Sequence, residues 1–240
     1  MDAMNASTDY YVKRTRRLLW EFGFVAKSTR SVVGEHFDEN ADTVLAETRR
    51  EFERLIPQLP YIGGQQPFTE FVVFTGMLLA VYRVGKAHGK TAEQTGVMIH
   101  EIGRAFLKSF PPFLLRLLVP LNFSRRYLNR VRQQAFESHA RKYPDGYVLN
   151  FFEGDGKTFD YGVDYLECAS CKFLAKQGAP EIAPYLCPVD ILYSDALGWG
   201  LTRTQTLAEG ADKCDFRFKR GGKTNVAVPE ALREIIAQGK

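Results

Sequence analysis

All four cysteines of the 240-residue chain lie in its C-terminal part, at Cys168, Cys171, Cys187 and Cys214. Thiolates are nucleophiles and metal ligands, so this group is a candidate for catalysis, metal binding or redox chemistry. Four thiolates suffice for a tetrahedral metal site, but the single CxxC pair matches no zinc ribbon or finger. A redox CxxC is expected beside a βαβ unit, whereas the strands predicted around this pair are antiparallel. The spacing alone leaves the metal and redox hypotheses open.

Cys187 stands directly before Pro188, and this pair predicts the start of a helix. Proline suits the first helical position and holds the residue before it extended, as an N-cap requires. A thiol there faces the positive end of the helix dipole and free backbone N–H groups, which favour the thiolate. Asp190 competes for the same donors, and its charge raises the thiol pKa. The alternative is a buried structural cysteine beside an aspartate that begins a helix.

A second group of polar residues lies in a predicted hairpin formed by Leu201–Leu207 and Cys214–Lys219. Alternation along these strands predicts one apolar face that carries Cys214 and another face that offers arginines. A guanidinium binds a carboxylate through two parallel hydrogen bonds, so the arginines are candidates for holding an acidic substrate. The alternative is that they lie on a solvated face of the sheet. The candidate substrate-binding residues of this hairpin are Arg203, Thr204, Thr206 and Arg217.

Helical periodicity continues from the start of the chain to about residue 140. The helix predictions are a first helix from Thr8 through Phe22, a second from Asp42 to Ile56, a third from Pro67 to His88, a fourth beginning at a Thr91–Gln94 capping box, and a later one from Ser124 to His139. His100 lies inside the fourth helix, where we expect a half-buried histidine with its hydrogen bonds satisfied.

The pattern changes at the Pro144-Asp145-Gly146 turn. A hairpin of Tyr147–Phe152 and Phe159–Cys168 is predicted to follow, then short helices before the second hairpin and a last helix from Pro229 to Ala237. This order predicts an α+β fold, in which an N-terminal helical bundle packs on a C-terminal antiparallel sheet of two hairpins. The expected division is a helical region at 1–143 and a cysteine-containing α+β region at 144–240, together forming one compact unit.

Composition and motifs exclude several classes of protein. The chain is 45% hydrophobic and 25% charged with a net charge of +4, which is typical of a folded domain and excludes a disordered or fibrous chain. No apolar run reaches the roughly 20 residues that a transmembrane helix needs. The N-terminus lacks the apolar core of a signal peptide, so we expect a cytoplasmic protein with reduced thiols. Metalloprotease, α/β-hydrolase and nucleotide-binding motifs are missing, and no nucleic-acid-binding module is recognised.

Residues 102–136 contain seven Lys or Arg and no acidic residue, around the proline-broken apolar stretch 110–120. Three interpretations fit this segment: contact with an anionic membrane surface, the lining of a channel for an acidic substrate, or packing of an amphipathic element on the core. Packing on the core is the favoured interpretation. The extent of apolar helix surface also fits a homo-oligomer.

Several short motifs of the C-terminal part resemble one known family. The sequence reads CPVD at 187–190, LGWGLTRTQTLAEG at 197–210 and CDFRF at 214–218, with GVDY at 162–165, Glu167-Cys168, and GAPE at 178–181 upstream. Together these motifs resemble the L-2-amino-thiazoline-4-carboxylic acid hydrolase family, over about residues 145–220. The resemblance implies a hydrolase that opens a small cyclic amidine and produces a carbamoyl-cysteine.

Combining this resemblance with the candidate residues gives a mechanistic hypothesis. The Cys187 thiolate attacks the amidine carbon, Asp190 hydrogen-bonds the amino nitrogen, and Arg203 or Arg217 holds the substrate carboxylate. Cys214 is a second thiol at the site, or a metal ligand if water is activated by a metal. The thiolate route needs no cofactor, and the other route needs a divalent metal. The alternatives are a non-catalytic module that binds a small ligand or metal, and a thiol redox protein.

Overall fold

The computed structural model describes residues 10–37, 40–230 and 232–233. Its N-terminal part is helical, and the helices are α1 (Thr15–His36), α2 (Ala41–Leu55), α3 (Thr69–Ala87), α4 (Ala92–Lys108), α5 (Pro112–Asn122) and α6 (Arg125–Ser138). The predicted Thr8 cap lies outside the described residues, as does most of the predicted last helix.

Side-chain caps fix the starts of several of these helices. Thr91 and Gln94 form the predicted capping box at the start of α4, each side chain bonding the other's backbone N–H. Ser124 accepts a hydrogen bond from the Tyr127 N–H at 3.2 Å and so begins α6, as predicted. Asn40 caps α2 by accepting from the Asp42 N–H at 2.9 Å. These local signals are readable from sequence because donor and acceptor lie within a few residues of each other.

The C-terminal part carries a five-stranded sheet with the strand order β1-β2-β4-β3-β5. The strands are β1 (Val148–Glu153), β2 (Tyr161–Glu167), β3 (Leu201–Arg203), β4 (Cys214–Phe218) and β5 (Asn225–Val226), and the helices between them are α7 (Ala169–Lys176), α8 (Ala183–Leu186) and α9 (Val189–Leu197). The two predicted hairpins form and are joined by antiparallel pairing of β2 with β4. β5 adds a short parallel pairing to β3. The α+β prediction is confirmed.

β3 ends four residues earlier than the alternation predicts, at Arg203 instead of Leu207. The reason is that neighbouring side chains take the backbone donors that would continue the ladder. The Asp215 carboxylate accepts from the Thr204 and Gln205 N–H groups, each at 2.9 Å. Thr206 then caps a short 3-10 turn by accepting from the Glu209 N–H at 3.2 Å.

One hydrophobic cluster joins the helical part to the sheet. It contains Leu18, Phe52 and Val72 from the helices together with Leu149 and Tyr161 from the strands. Residues on the helix-facing side of the sheet therefore lie deep in the molecule, whereas the other side faces outward.

α5 departs from the expectation that it packs on the core. None of its described side chains is buried, although it touches α9 and α6 on one side. Its exposed residues include Phe113 and Leu117, which are large and apolar. No helix in the described part of the chain is both long and apolar enough to cross a membrane.

Candidate functional site

The predicted catalytic residues and Arg203 converge where the helix-facing side of the sheet meets α7, α8 and α9. Cys187, between α8 and α9, lies within electrostatic range of Cys168, Asp190, Arg203 and Cys214. The site therefore combines residues that lie up to 46 positions apart in the sequence, from Cys168 to Cys214.

This region is not closed. Tyr165 and Phe216 lie on the inner face of the sheet with their ring centroids 5.0 Å apart, yet both stay partly exposed. Cys168, Cys187 and Asp190 on the facing elements are also partly exposed. These residues face one another from the sheet and the short helices without being fully buried, and we call the region between them the cleft.

Arg203 is the most buried charged group of the site, with 1% of its side chain exposed. Its Nη1 donates to the Asp190 Oδ2 at 2.7 Å and to the Cys187 carbonyl oxygen at 3.3 Å. The guanidinium carbon lies 5.2 Å from the centroid of the Phe216 ring, within the range of a cation–π contact. The hydrogen bonds of Nη1 and the contact with the Phe216 ring together fix the orientation of the guanidinium.

The other edge of the same guanidinium is unpaired. Arg203 Nε and Nη2 are both buried, and neither has a hydrogen-bond partner among the residues that the structure describes. Leaving a charged donor buried without a partner is costly, so native structures rarely keep one without a ligand or solvent to fill it. Nε and Nη2 form a fork that matches the two oxygens of a carboxylate. The arrangement suits a planar anion bound side-on to Arg203.

Asp190 is the more exposed partner of this arginine. About 30% of its side chain is exposed, against 1% for Arg203. Desolvation raises the pKa of the Asp190 carboxyl, and the adjacent guanidinium opposes that rise. A carboxyl in this setting accepts hydrogen bonds from an amino or amidinium group of a ligand.

The predicted N-cap role of Cys187 is wrong. Its backbone is helical, with φ −56° and ψ −36°, and its N–H donates to the Ala183 carbonyl oxygen at the end of α8. Pro188 occupies the N-cap of α9 instead. The preference of a residue before proline for an extended backbone is statistical, and here the continuing turn of α8 overrides it. Burial raises the pKa of the Cys187 thiol.

Cys168 has the position that the sequence assigned to Cys187. It is the N-cap of α7, with an extended backbone at φ −113° and ψ 118°. Its pKa is lowered to about 7, chiefly by the Cys171 thiol and against the effect of burial. The Cys168 side chain accepts no capping hydrogen bond from α7, so the neighbouring thiol is the group that stabilises the thiolate.

Ser170, which the sequence analysis did not single out, supports this environment. Its Oγ lies 2.8 Å from the Thr75 Oγ1 and 3.1 Å from the Tyr147 hydroxyl oxygen, so α3 and the start of β1 hold it in place. It also contributes a side-chain hydrogen bond that lowers the pKa of Cys168. No short-range motif marks Ser170, because its partners lie 95 and 23 residues away.

The remaining two thiols are in their neutral form near pH 7. The pKa of Cys171 is raised mainly by its contact with the Cys168 sulfur and by burial. Burial raises the pKa of Cys214 to about 11, although its sulfur accepts a hydrogen bond from the Leu207 N–H at 3.2 Å. Within the described ranges, no three or more His, Cys, Asp or Glu side chains are arranged to hold a metal ion.

The other candidate substrate-binding residues are held by contacts of their own. Arg217 is on the opposite face of the sheet from Arg203, where its Nη1 donates to the Asp164 Oδ1 at 2.7 Å. The expectation that the two arginines share a face is wrong, because Arg217 pairs in register with Thr202 while Arg203 follows on the other face. Thr204 donates to Asp215. Thr206 caps the short turn described above.

His100 differs from the expected half-buried, satisfied histidine. It is 1% exposed, and its Nδ1 has no hydrogen-bond partner in the described structure. Burial, aided by Arg104, lowers the pKa of His100 to about 4. Gly96 and Gly103, one turn to either side of it on α4, face Tyr185 and Leu192 and permit close packing against α8 and α9. These glycines are the signal that could have placed this side of α4 against α8 and α9.

A comparison with protein families decides the assignment suggested by the short motifs. The model of the L-2-amino-thiazoline-4-carboxylic acid hydrolase family matches residues 74–218, more than half of the chain. The chain belongs to this family. The match extends the resemblance upstream to α3 and includes Cys168, Cys187, Asp190 and Arg203. Comparisons with curated proteins and with solved structures found no match.

Proposed function

We propose that this member of the L-2-amino-thiazoline-4-carboxylic acid hydrolase family opens a small cyclic amidine that carries a carboxylate. The observation that carries the proposal is the unpaired Nε–Nη2 edge of the buried Arg203. A substrate carboxylate would satisfy both donors at once and place the amidine toward Asp190 and the thiols. Arg217 is not part of this proposal, because Asp164 and the opposite face of the sheet hold it.

Asp190 orients the amidine in this proposal. Its Oδ2 bonds Arg203, and its exposed fraction leaves the carboxyl accessible to the amino nitrogen of the substrate. A hydrogen bond from that nitrogen favours the protonated amidinium, which makes its central carbon more electrophilic.

The covalent step follows from a thiolate in the cleft. The sulfur forms a bond to the amidine carbon, the C=N electron pair moves to nitrogen, and that nitrogen takes a proton. Collapse of the adduct breaks the ring C–N bond: the exocyclic nitrogen re-forms a C=N bond to the carbon, and the ring nitrogen takes a second proton and leaves as the amine of the opened chain. Water then adds to the same carbon, the cysteine sulfur leaves as the thiolate, and loss of the excess protons gives the carbamoyl product. The net reaction consumes one water and regenerates the thiolate.

Two cysteines are candidates for this thiolate. Cys187 is the residue predicted from sequence, but burial raises the pKa of its thiol. Cys168 supports the role better, because its N-cap position and its lowered pKa provide thiolate near neutral pH. We therefore assign the attack to Cys168. Cys187 and Cys214 then serve as neutral thiols that line the cleft.

Ring opening of L-2-aminothiazoline-4-carboxylate, followed by mass spectrometry, tests this function. Reduced protein should convert the compound, and the Cys168→Ser variant should lose turnover while it stays folded. Cys187→Ser is the matched control and should retain activity. Turnover by Cys168→Ser with loss in Cys187→Ser would restore the sequence-based assignment. Sensitivity of the wild-type reaction to a chelator would instead favour metal-activated water, and binding without turnover would favour the non-catalytic ligand-binding alternative.

A further inference from the structure

A large apolar surface covers one side of the helical part. It consists of exposed residues of α5 together with a ring cluster on α1 and α4, and we call it the α5 surface. Its members are Phe113, Leu114, Leu117, Leu118 and Leu121 on α5, Trp20 and Phe24 on α1, Phe106 on α4, and Phe110 in the connection to α5. Soluble monomers rarely expose contiguous apolar patches of this kind without an interaction partner.

Ring contacts join the aromatic part of this surface across α1, α4 and the connection to α5. Trp20 stacks on Phe24 with centroids 6.3 Å apart, and Phe24 lies 6.0 Å from both Phe106 and Phe110. Phe110 lies two residues before Pro112, the first residue of α5. Trp20 and Leu117 remain 71% and 67% exposed, so neither is covered by this chain.

The apolar residues of α5 occupy one broad side of the helix. At about 100° per residue, the five exposed side chains span an arc of roughly 140°. Leu115 and Val119 lie on the other side and are half-buried, and Val119 approaches Gly198 at the end of α9. α5 therefore rests on α9 through one side and presents the opposite side outward.

The segment that carries α5 is basic, whereas α1 brings Glu21, paired with Arg17, next to Trp20. Residues 102–136 contain seven Lys or Arg and no Asp or Glu. Arg125, Arg126 and Arg130 on the following helix are exposed and form no ion pair with the residues that the structure describes. A two-fold contact between copies would place these basic groups against each other and disfavour self-association. A partner that is both anionic and apolar, such as a bilayer with acidic headgroups, is complementary to the basic residues and to the apolar arc of α5.

We propose that the α5 surface binds an anionic lipid bilayer. The apolar arc of α5, with Trp20 and Phe24, inserts at the level of the headgroups, and Arg125, Arg126 and Arg130 contact the acidic lipids. α5 has 11 residues, a length of about 16 Å, so it lies in the plane of the interface and does not cross the bilayer. Aromatic rings and arginines are the side chains that favour this level of a membrane.

Flotation with lipid vesicles tests the proposal. The full chain should bind phosphatidylcholine vesicles that contain phosphatidylglycerol, bind much less to phosphatidylcholine alone, and dissociate as salt is raised. Arg125→Glu with Arg126→Glu should weaken binding about tenfold or more. Arg49→Glu with Arg54→Glu makes the same charge change on exposed positions of α2 and should leave binding unchanged.

The apolar half of the surface has its own controls. Leu117→Gln with Leu121→Gln should abolish vesicle binding, whereas Val12→Gln, also at an exposed apolar position, should not. Trp20 provides a direct readout, because its emission should shift to the blue on binding and be quenched by lipids labelled near the headgroup. Trp20→Phe identifies that signal, since the chain has only one other tryptophan, Trp199.

Three results would overturn the proposal. One is the absence of binding to anionic vesicles. Another is equal binding to neutral vesicles, and the third is vesicle binding that the Leu117→Gln/Leu121→Gln variant retains. A dimer that this variant dissociates, seen by light scattering without lipid, would show that a second copy of the chain covers the surface instead.

Discussion

At the scale of single residues, the site depends on two groups held in unusual states: a buried guanidinium with one unpaired edge and an N-cap thiol. Arg203 stays a predicted member of the site, whereas its predicted pairing with Arg217 is wrong, because alternation along each strand does not give the register between the two strands. It also assigned the thiolate environment to Cys187, because the rule for residues before proline is local. The turn of α8 that determines its backbone depends on packing.

Arg203→Lys should weaken substrate binding while it retains the positive charge. Lysine cannot reproduce the two-donor fork, and hydrogen bonds to a charged group contribute about 1.5–3 kcal/mol each. We expect KM for the carboxylate substrate to rise about ten- to a hundredfold, as measured by steady-state kinetics. Arg217→Lys keeps its ion pair with Asp164 on the outer face of the sheet, so its KM should match the wild type. An equal effect of both substitutions would argue against a specific role for Arg203.

Alkylation of the thiols tests the assignment of the thiolate. Because its folded-state pKa is lowered to about 7, Cys168 should react with iodoacetamide first, with a rate that rises through about pH 7. Cys187 and Cys214 should react only at higher pH or after unfolding. Peptide mapping separates the four sites.

Cys171→Ala should move the reaction of Cys168 to higher pH, because the Cys171 thiol is the main group that lowers its pKa. Cys214→Ala is the control and should leave that pH profile in place. Preferential alkylation of Cys187 in the folded protein would contradict the assignment.

At the scale of elements, close packing of α4 against α8 and α9 brings the site together. Helix and strand periods, caps and turn residues were enough to predict most elements and the α+β order. They did not predict β5, whose two residues pair with β3 only in the folded sheet. They also did not predict that α5 stays exposed. Apolar side chains favour burial in general, but their sequence does not identify which other part of the molecule they pack against.

Gly96→Ala should separate the helices that support the site. A Cβ at this position would lie 2.5 Å from the Tyr185 Cβ, so α8 must move. We expect a loss of about 1–3 kcal/mol in the free energy of unfolding, measured by urea denaturation. Gly23→Ala in α1 meets no atom within 4 Å and should be stabilising by about 0.5–1 kcal/mol. Equal effects would show that the contact of α4 with α8 is not tight.

At the scale of the whole molecule, a continuous hydrophobic cluster links the helices to the sheet. The buried His100 makes the stability of the folded chain depend on pH. The pKa of His100 is lowered to about 4 in the folded state, whereas it is near 6.5 when unfolded. The unfolded chain binds the additional proton between these values, so this contribution to stability is present above pH 6.5 and is lost as the pH falls toward 4.

The loss attributable to His100 should reach about 3 kcal/mol across that range. A His100→Gln variant, which has no titrating group at this position, should show a correspondingly smaller decrease of stability between pH 6.5 and 4. Thermal or urea unfolding at several pH values measures the difference. Parallel profiles for the two proteins would contradict a buried neutral histidine.

The most direct test of the proposed function compares two ring compounds on the wild-type protein. L-2-aminothiazoline-4-carboxylate carries the carboxylate that Arg203 is proposed to bind, and 2-aminothiazoline lacks it. We expect ring opening of the first compound with kcat/KM at least about a hundredfold higher than for the second, and we expect Arg203→Lys to remove most of that difference. Equal turnover of both compounds, or a difference that Arg203→Lys leaves intact, would contradict the account of the site.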